Sequence, residues 1–217
     1  MTDFLWISIL LPFITGLFCF KRFDTSLKLF YLYVLYGTVN ELVTFILRRF
    51  GLDNTMPFIH LYQIVTFPIL VLFYSSLIYK KTLTRFSIVL ISIFELFNLI
   101  NLVFFQSIYE YPNFSRTIAT FVVIVLCIWY FYRVMVEAKI MSLWDEPLIW
   151  INGALLIYYS GNLFFTVLFN LILEYSREFS KITVVSFSVI LTLFYVLVTI
   201  GFSKAGGKMI KTSGRIV

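Results

Sequence analysis

Seven runs of about 20 apolar residues, each bounded by charge, Pro or Gly, leave this chain few ways to fold. They cover residues 4–20, 27–47, 57–79, 86–106, 117–135, 148–173 and 182–203. A bilayer core about 30 Å thick takes roughly 20 helical residues, so each run matches one crossing. The runs are continuous and do not alternate apolar with polar over about 10 residues, which argues for helices and against a membrane β-barrel. Composition agrees: of 217 residues, 61% are hydrophobic and 13% charged, with a mean hydropathy of +0.96, whereas soluble domains carry about 25% charge. A soluble fold is excluded. The expected architecture is an all-α membrane protein of seven transmembrane helices, with residues 1–203 as one transmembrane domain and 204–217 as a short basic cytoplasmic tail. The connecting segments are too short to hold a second domain.

The charge of +6 is a topology signal. Met1-Thr2-Asp3 lacks the basic n-region of a signal peptide, so the first run reads as a retained helix. With the N-terminus outside, 12 Lys and Arg side chains fall on the inner side and 5 on the outer. The outer five are Arg48, Arg49, Arg116, Arg177 and Lys181. Cytoplasmic loops carry the excess of basic residues, so the expected orientation is N-outside and C-cytoplasmic. Basic residues so distributed suit anionic lipid, and nucleic acid is not an expected partner.

An internal repeat runs beneath this pattern. Tyr36, Thr38, Asn40 and Thr44 of the second run are spaced as Tyr158, Ser160, Asn162 and Thr166 of the sixth, and a six-residue stretch from Ile69 in the third run resembles one from Ile190 in the seventh. Helices four apart run in the same direction, so the expectation is a 3+1+3 parallel repeat with the fourth run as linker.

Polar side chains inside the runs define the candidate site. An ionisable group at mid-membrane costs about 2.5 to 3.5 kcal/mol, so such groups face the bundle interior and have partners. Glu41 and Glu95 are the two acids deep within runs. Glu41 shares a helix face with Asn40 and Thr44; Glu95, Asn98 and Asn101 form a stripe at steps of three; His60 and Gln63 are three apart; and Asn162 lies on a polar face that includes Tyr159, Thr166 and Asn170. With the N-terminus outside, nearly all of these fall in the outer half of the bilayer with Glu95 near its middle, above an aliphatic and aromatic plug. The expected site is an outer-half polar cavity, serving ligand binding or proton transfer, built from Glu41, Glu95, Asn40, His60, Gln63, Asn98, Asn101 and Asn162, with Arg116 at the entrance as a carboxylate partner. The alternative role for the amides and hydroxyls is interhelical hydrogen bonding at about 0.6 kcal/mol each, and for His60 an interfacial position.

Several chemistries are excluded. A retinal Schiff base needs a lysine in the last helix, and 182–203 has none. One His cannot supply a multi-His metal site or a bis-His haem, and Cys19 and Cys127 sit singly in apolar runs as reduced thiols. The sequence has no phosphate loop, nucleophile elbow or paired-Cys motif. No cofactor and no metal are expected, nor is an enzyme.

Two stretches resemble a known family: Asn113-Phe114-Ser115-Arg116, and Pro147-Leu148-Ile149-Trp150-Ile151-Asn152 followed by Leu156 through Phe164 with its Tyr-Tyr-Ser-Gly-Asn core. With Asn40-Glu41 and the short loops, they resemble a family of small seven-helix membrane proteins of the Bacteroidota, to which no activity is assigned. Members tend to be found near sensor histidine kinases, so the resemblance implies a signalling context and a bacterial inner membrane. This chain departs from the family in having no Asn in its last run and no acid in Thr117-Ile118-Ala119. The expected function is a receptor-like or sensory membrane protein that takes a small or lipophilic ligand and signals through a membrane-bound partner such as a histidine kinase. The alternatives are a small solute or proton-coupled transporter, for which the repeat and the two carboxylates speak, and a structural subunit of a membrane complex.

Overall fold

A computed structural model of the chain describes the backbone of residues 3–52, 54–137, 142–175 and 177–213, and the side chains of 8–52, 54–137, 142–163 and 185–207. The seven apolar runs become seven α-helices: α1 Asp3–Cys19, α2 Thr25–Arg49, α3 Met56–Tyr79, α4 Arg85–Phe104, α5 Asn113–Glu137, α6 Pro147–Tyr175 and α7 Arg177–Ser213. Short 3-10 turns, Phe20–Arg22 and Leu143–Asp145, precede α2 and α6. There is no strand among the described residues. Helices α2 to α5 and Val185–Gly207 of α7 are long and apolar enough to cross a membrane, so the chain is a membrane protein. At 17 residues α1 is shorter, about 26 Å at 1.5 Å per residue, and the side chains of α6 are described only as far as Leu163.

Two helices extend past the limits of their apolar runs. Helix α5 starts at Asn113, one turn before the expected 117, and α7 continues to Ser213 through the segment expected to be a separate tail. Gly206-Gly207 in water would cost a helix about 1 kcal/mol per residue relative to Ala. Here the turn is held by packing: the Arg22 guanidinium donates to Gly206 O at 3.1 Å, and a Cβ on Gly206 would stand 2.6 Å from Cys19 Sγ. A side chain on Gly206 would have to displace the Cys19 thiol.

The helices form two compact units. One consists of Met1–Asp24 and Thr120–Val217, the other of Thr25–Ala119, so α5 contributes its first turns to the second of these and the remainder to the first. In the unit holding α6 and α7, those two helices pack along each other and α1 packs on α7. Ile151, Ala154, Leu155, Val198 and Phe202 are fully buried there, Tyr158 stacks near Phe194 at 5.0 Å, and Phe23 near Phe202 at the same distance. A Cβ on Gly201 would meet Ile151 Cγ1 at 2.8 Å and the backbone oxygen of Pro147 at 3.1 Å. Small residues at such a contact allow close approach, and dispersion then holds helices that lipid would otherwise solvate equally well. Asn152, also fully buried, donates from Nδ2 to Cys127 O at 3.0 Å, fastening α6 to α5.

In the other unit α3 is central and packs on both α2 and α4. Its buried row Phe67, Leu70, Val71, Phe73 and Tyr74 meets Phe30 of α2 and Phe94 of α4, with ring centroids 5.2 Å apart for Phe30–Phe73 and 3.7 Å for Phe67–Phe94. Ser76 donates to Ser26 at 2.8 Å across α2 and α3. The α3–α4 turn is set by Lys80, which ends α3 in the left-handed region at φ 54, and by a capping box in which Thr84 and Ser87 satisfy each other's backbone donors. Ser75 joins this turn by donating to Lys81 O at 3.0 Å.

Several hydroxyls within the helices bond to their own backbone rather than across to a neighbour. Thr38, Thr44, Thr66, Thr192, Thr199 and Ser203 each donate to the carbonyl four residues earlier in their own helix. A hydroxyl without water finds its nearest spare acceptor one turn back.

Candidate functional site

Four of the polar side chains singled out in the sequence line one cavity. It lies between α3, α4 and the start of α5, has a volume of about 530 Å³, and is lined by His60, Gln63 and Ile64 from α3, a stripe of α4 from Ser92 to Leu102 that includes Glu95 and Asn98, and Pro112 and Ser115. The stripe follows from helical spacing: residues 92, 95, 98 and 99, and 102 fall on one face at steps of three and four. Pocket volumes for small organic ligands run from about 300 to 1,000 Å³. Leu96 and Leu99 line the cavity yet are 58% and 59% exposed, so the cavity opens past α4.

One end is closed by a hydrogen-bonded loop. Asn101 is buried and donates to Gln106 Oε1 at 3.1 Å and to Ser115 Oγ at 3.3 Å. Gln106 Nε2 donates in turn to Tyr111 O. His60 Nε2 lies 3.0 Å from Glu110 O; a carbonyl only accepts, so this nitrogen carries the proton. Asn54 Nδ2 donates to Tyr109 O at 3.1 Å. Residues 105–112 are thereby tied to both α3 and α4. His60 and Asn101 thus hold the rim, with the His60 ring also lining the interior.

Two polar atoms inside remain without a partner: Gln63 Nε2 and Glu95 Oε1 are buried and make no hydrogen bond. Gln63 is only 7% exposed. The other carboxylate oxygen of Glu95 accepts from Asn98 Nδ2 at a long 3.4 Å. A buried donor or acceptor left unpaired costs about 1 to 3 kcal/mol, so native proteins rarely leave one without a purpose.

The other expected members lie elsewhere. Glu41 is exposed on α2 and Asn40 half-buried, and neither lines the cavity. Spacing places Glu41 on the same side of α2 as Phe30 and Gly37, but contact with α3 thins beyond the Tyr36–Tyr62 stack, whose ring centroids are 6.0 Å apart. After it Val39, Leu42 and Val43 are exposed and only Thr44 is buried. Helical periodicity gives a direction, not a neighbour. Arg116 stands with its guanidinium over the Tyr111 ring at 5.3 Å and acts electrostatically, as does Arg48, on Glu41. Asn162 is buried within the α6–α7 unit and is not a lining residue; Asn170 falls outside the described side chains.

Ser92, Pro112 and Ser115 were missed in the sequence. Ser92 precedes Glu95 by three and continues the α4 stripe, so its signal was present; Pro112 and Ser115 reach the cavity through a loop whose path no periodicity encodes. Among the described residues no group of three or more His, Cys, Asp or Glu side chains is placed to hold a metal ion. The arrangement offers hydrogen bonds in an apolar setting and no activated nucleophile. Comparison with known protein families, with characterised proteins and with solved structures finds no match to this chain.

Proposed function

We propose that this protein is a receptor-like integral membrane protein that takes a small lipophilic ligand in the α3–α4 cavity and passes the signal to a membrane-bound partner. The observation that carries the reading is the pairing of an apolar cavity of about 530 Å³ with two buried, unpartnered polar atoms. A ligand occupying it would satisfy both atoms and contact α4 and the first turn of α5, the route by which it would shift the helix packing. A sensor histidine kinase is the partner implied by the family resemblance. The same reading has seven spans, N-outside and C-cytoplasmic, in a bacterial inner membrane. The basic bias supports that orientation.

The second reading is a small carrier, favoured by the intramembrane carboxylate in the cavity. Cross-linking in native membranes followed by mass spectrometry separates the two: enrichment of a sensor kinase supports the receptor. Solute flux in liposomes with no signalling partner recovered establishes the carrier instead. A reporter fused after Val217 tests orientation, and activity only on the outer side would overturn it.

A further inference from the structure

The unsatisfied atoms of the cavity specify a ligand chemistry. Gln63 Nε2 is a donor and needs an acceptor; Glu95 Oε1 as a carboxylate is an acceptor and needs a donor. Both atoms belong to residues lining one cavity, and the structure gives them no bond to each other or to any other group. With the Gln63 amide turned as it stands, an ammonium head would pair with Glu95 but offer Gln63 Nε2 no acceptor. An ether or ketone would satisfy Gln63 and leave Glu95 unpaired, because it has no donor. A hydroxyl is the smallest group that does both: its oxygen accepts from Gln63 while its proton goes to Glu95. The remainder of the ligand is set by Ile64, Leu96, Leu99 and Leu102, which offer it only apolar contact. The exposure of Leu96 and Leu99 opens a route from the side of α4.

We infer that the cavity binds a hydroxyl-headed lipophile, with the hydroxyl bridging Gln63 Nε2 and Glu95 Oε1 and the chain lying along α4. This inference rests on the ligand-binding reading above and narrows its ligand.

The test uses the full chain in lipid nanodiscs and a long-chain primary alcohol carrying a diazirine in its alkyl chain. After irradiation, labelled peptides are mapped by mass spectrometry, with the plain alcohol, the matching primary amine, the methyl ether and the alkane as competitors. Labelling should fall on the α3 and α4 peptides holding Ile64, Leu96 and Leu99. The alcohol should displace it, the amine and ether should each need about tenfold more, as one buried group left unpaired implies, and the alkane should fail. Gln63→Leu and Glu95→Leu should each cut site labelling about tenfold. Glu41→Gln, outside the cavity, should label as the parent does and shows that the fold is intact. Displacement by the alkane as well as by the alcohol would overturn the inference, as would an amine that outcompetes the alcohol, which marks a cation site. Labelling unchanged in both Leu variants would mean that only water bridges the two groups, and also overturns it. Absence of site labelling, with kinase association intact, removes this ligand class and leaves the receptor reading standing; loss of that association removes the reading itself.

Discussion

The α6–α7 contact and the α3–α4 contact are both made by long apolar helices, yet one is filled and the other hollow. Along α6 and α7, Gly201 brings the backbones so near that a Cβ would touch Ile151 and the Pro147 carbonyl, and the buried amide of Asn152 spends its Nδ2 donor on Cys127 O. Between α3 and α4 the aromatic pair Phe67–Phe94 closes the contact, but beside His60, Gln63 and Glu95 the helices enclose about 530 Å³, and two polar atoms stay unpaired. Small residues and satisfied amides make a helix contact that resists change. Longer polar side chains with free valences hold helices apart and leave room for something else.

The sharpest way to break the filled contact is Gly201→Leu. Overpacking a tight contact costs about 1 to 3 kcal/mol and sometimes more, and the Pro147 carbonyl is backbone that cannot step aside. We expect the loss of most folded protein, measured by thermal unfolding in detergent; Gly201→Ala should retain the fold with a lowered midpoint. An unchanged midpoint for the Leu variant would show that α6 and α7 are not in close contact at this level.

Next in size is Asn152→Ala. It removes a buried amide and leaves Cys127 O without that donor, for which we expect about 1 to 2 kcal/mol of destabilisation in the same assay. In the hollow contact the corresponding loss should be small. Glu95→Leu removes a carboxylate with one unpartnered oxygen and one long hydrogen bond, and stability should stay within about 0.5 kcal/mol of the parent or rise. If Glu95→Leu destabilised as much as Asn152→Ala, Glu95 would be a structural group and the contrast between the two contacts would fail.

The smallest expected effect is that of Glu41→Gln. Glu41 is exposed and outside the cavity, and its neighbours Arg48 and Arg116 have other company in Thr55 Oγ1 and the Tyr111 ring. Alcohol labelling should match the parent within error, and the unfolding midpoint should hold or rise slightly, because the amide keeps the polar contacts and drops a charge that a membrane span disfavours. A loss of labelling would bring Glu41 back into the site.

The helices were legible because run length and hydropathy are local properties: about 20 apolar residues can satisfy their backbone in lipid only by coiling. The α4 stripe was legible for the same kind of reason, since Glu95, Asn98 and Asn101 repeat at the helical step, and His60 with Gln63 likewise on α3. Helix ends were less so: α7 runs past Ser203, where Arg22, far away in sequence, donates to Gly206 O and Cys19 packs against Gly206.

What the sequence determined by itself, then, is that the chain is helical, that it belongs in a membrane, and which polar residues share a helix face. Only the tertiary structure decided which faces meet. Glu41 and Glu95 are both carboxylates within apolar runs, and each shares its helix face with at least one amide. One stands exposed where α2 leaves α3; the other lines a cavity with Gln63 from the neighbouring helix. A helix's periodicity fixes the direction in which a side chain points, but whether a partner waits there depends on packing between residues far apart in the chain, and no local pattern encodes it.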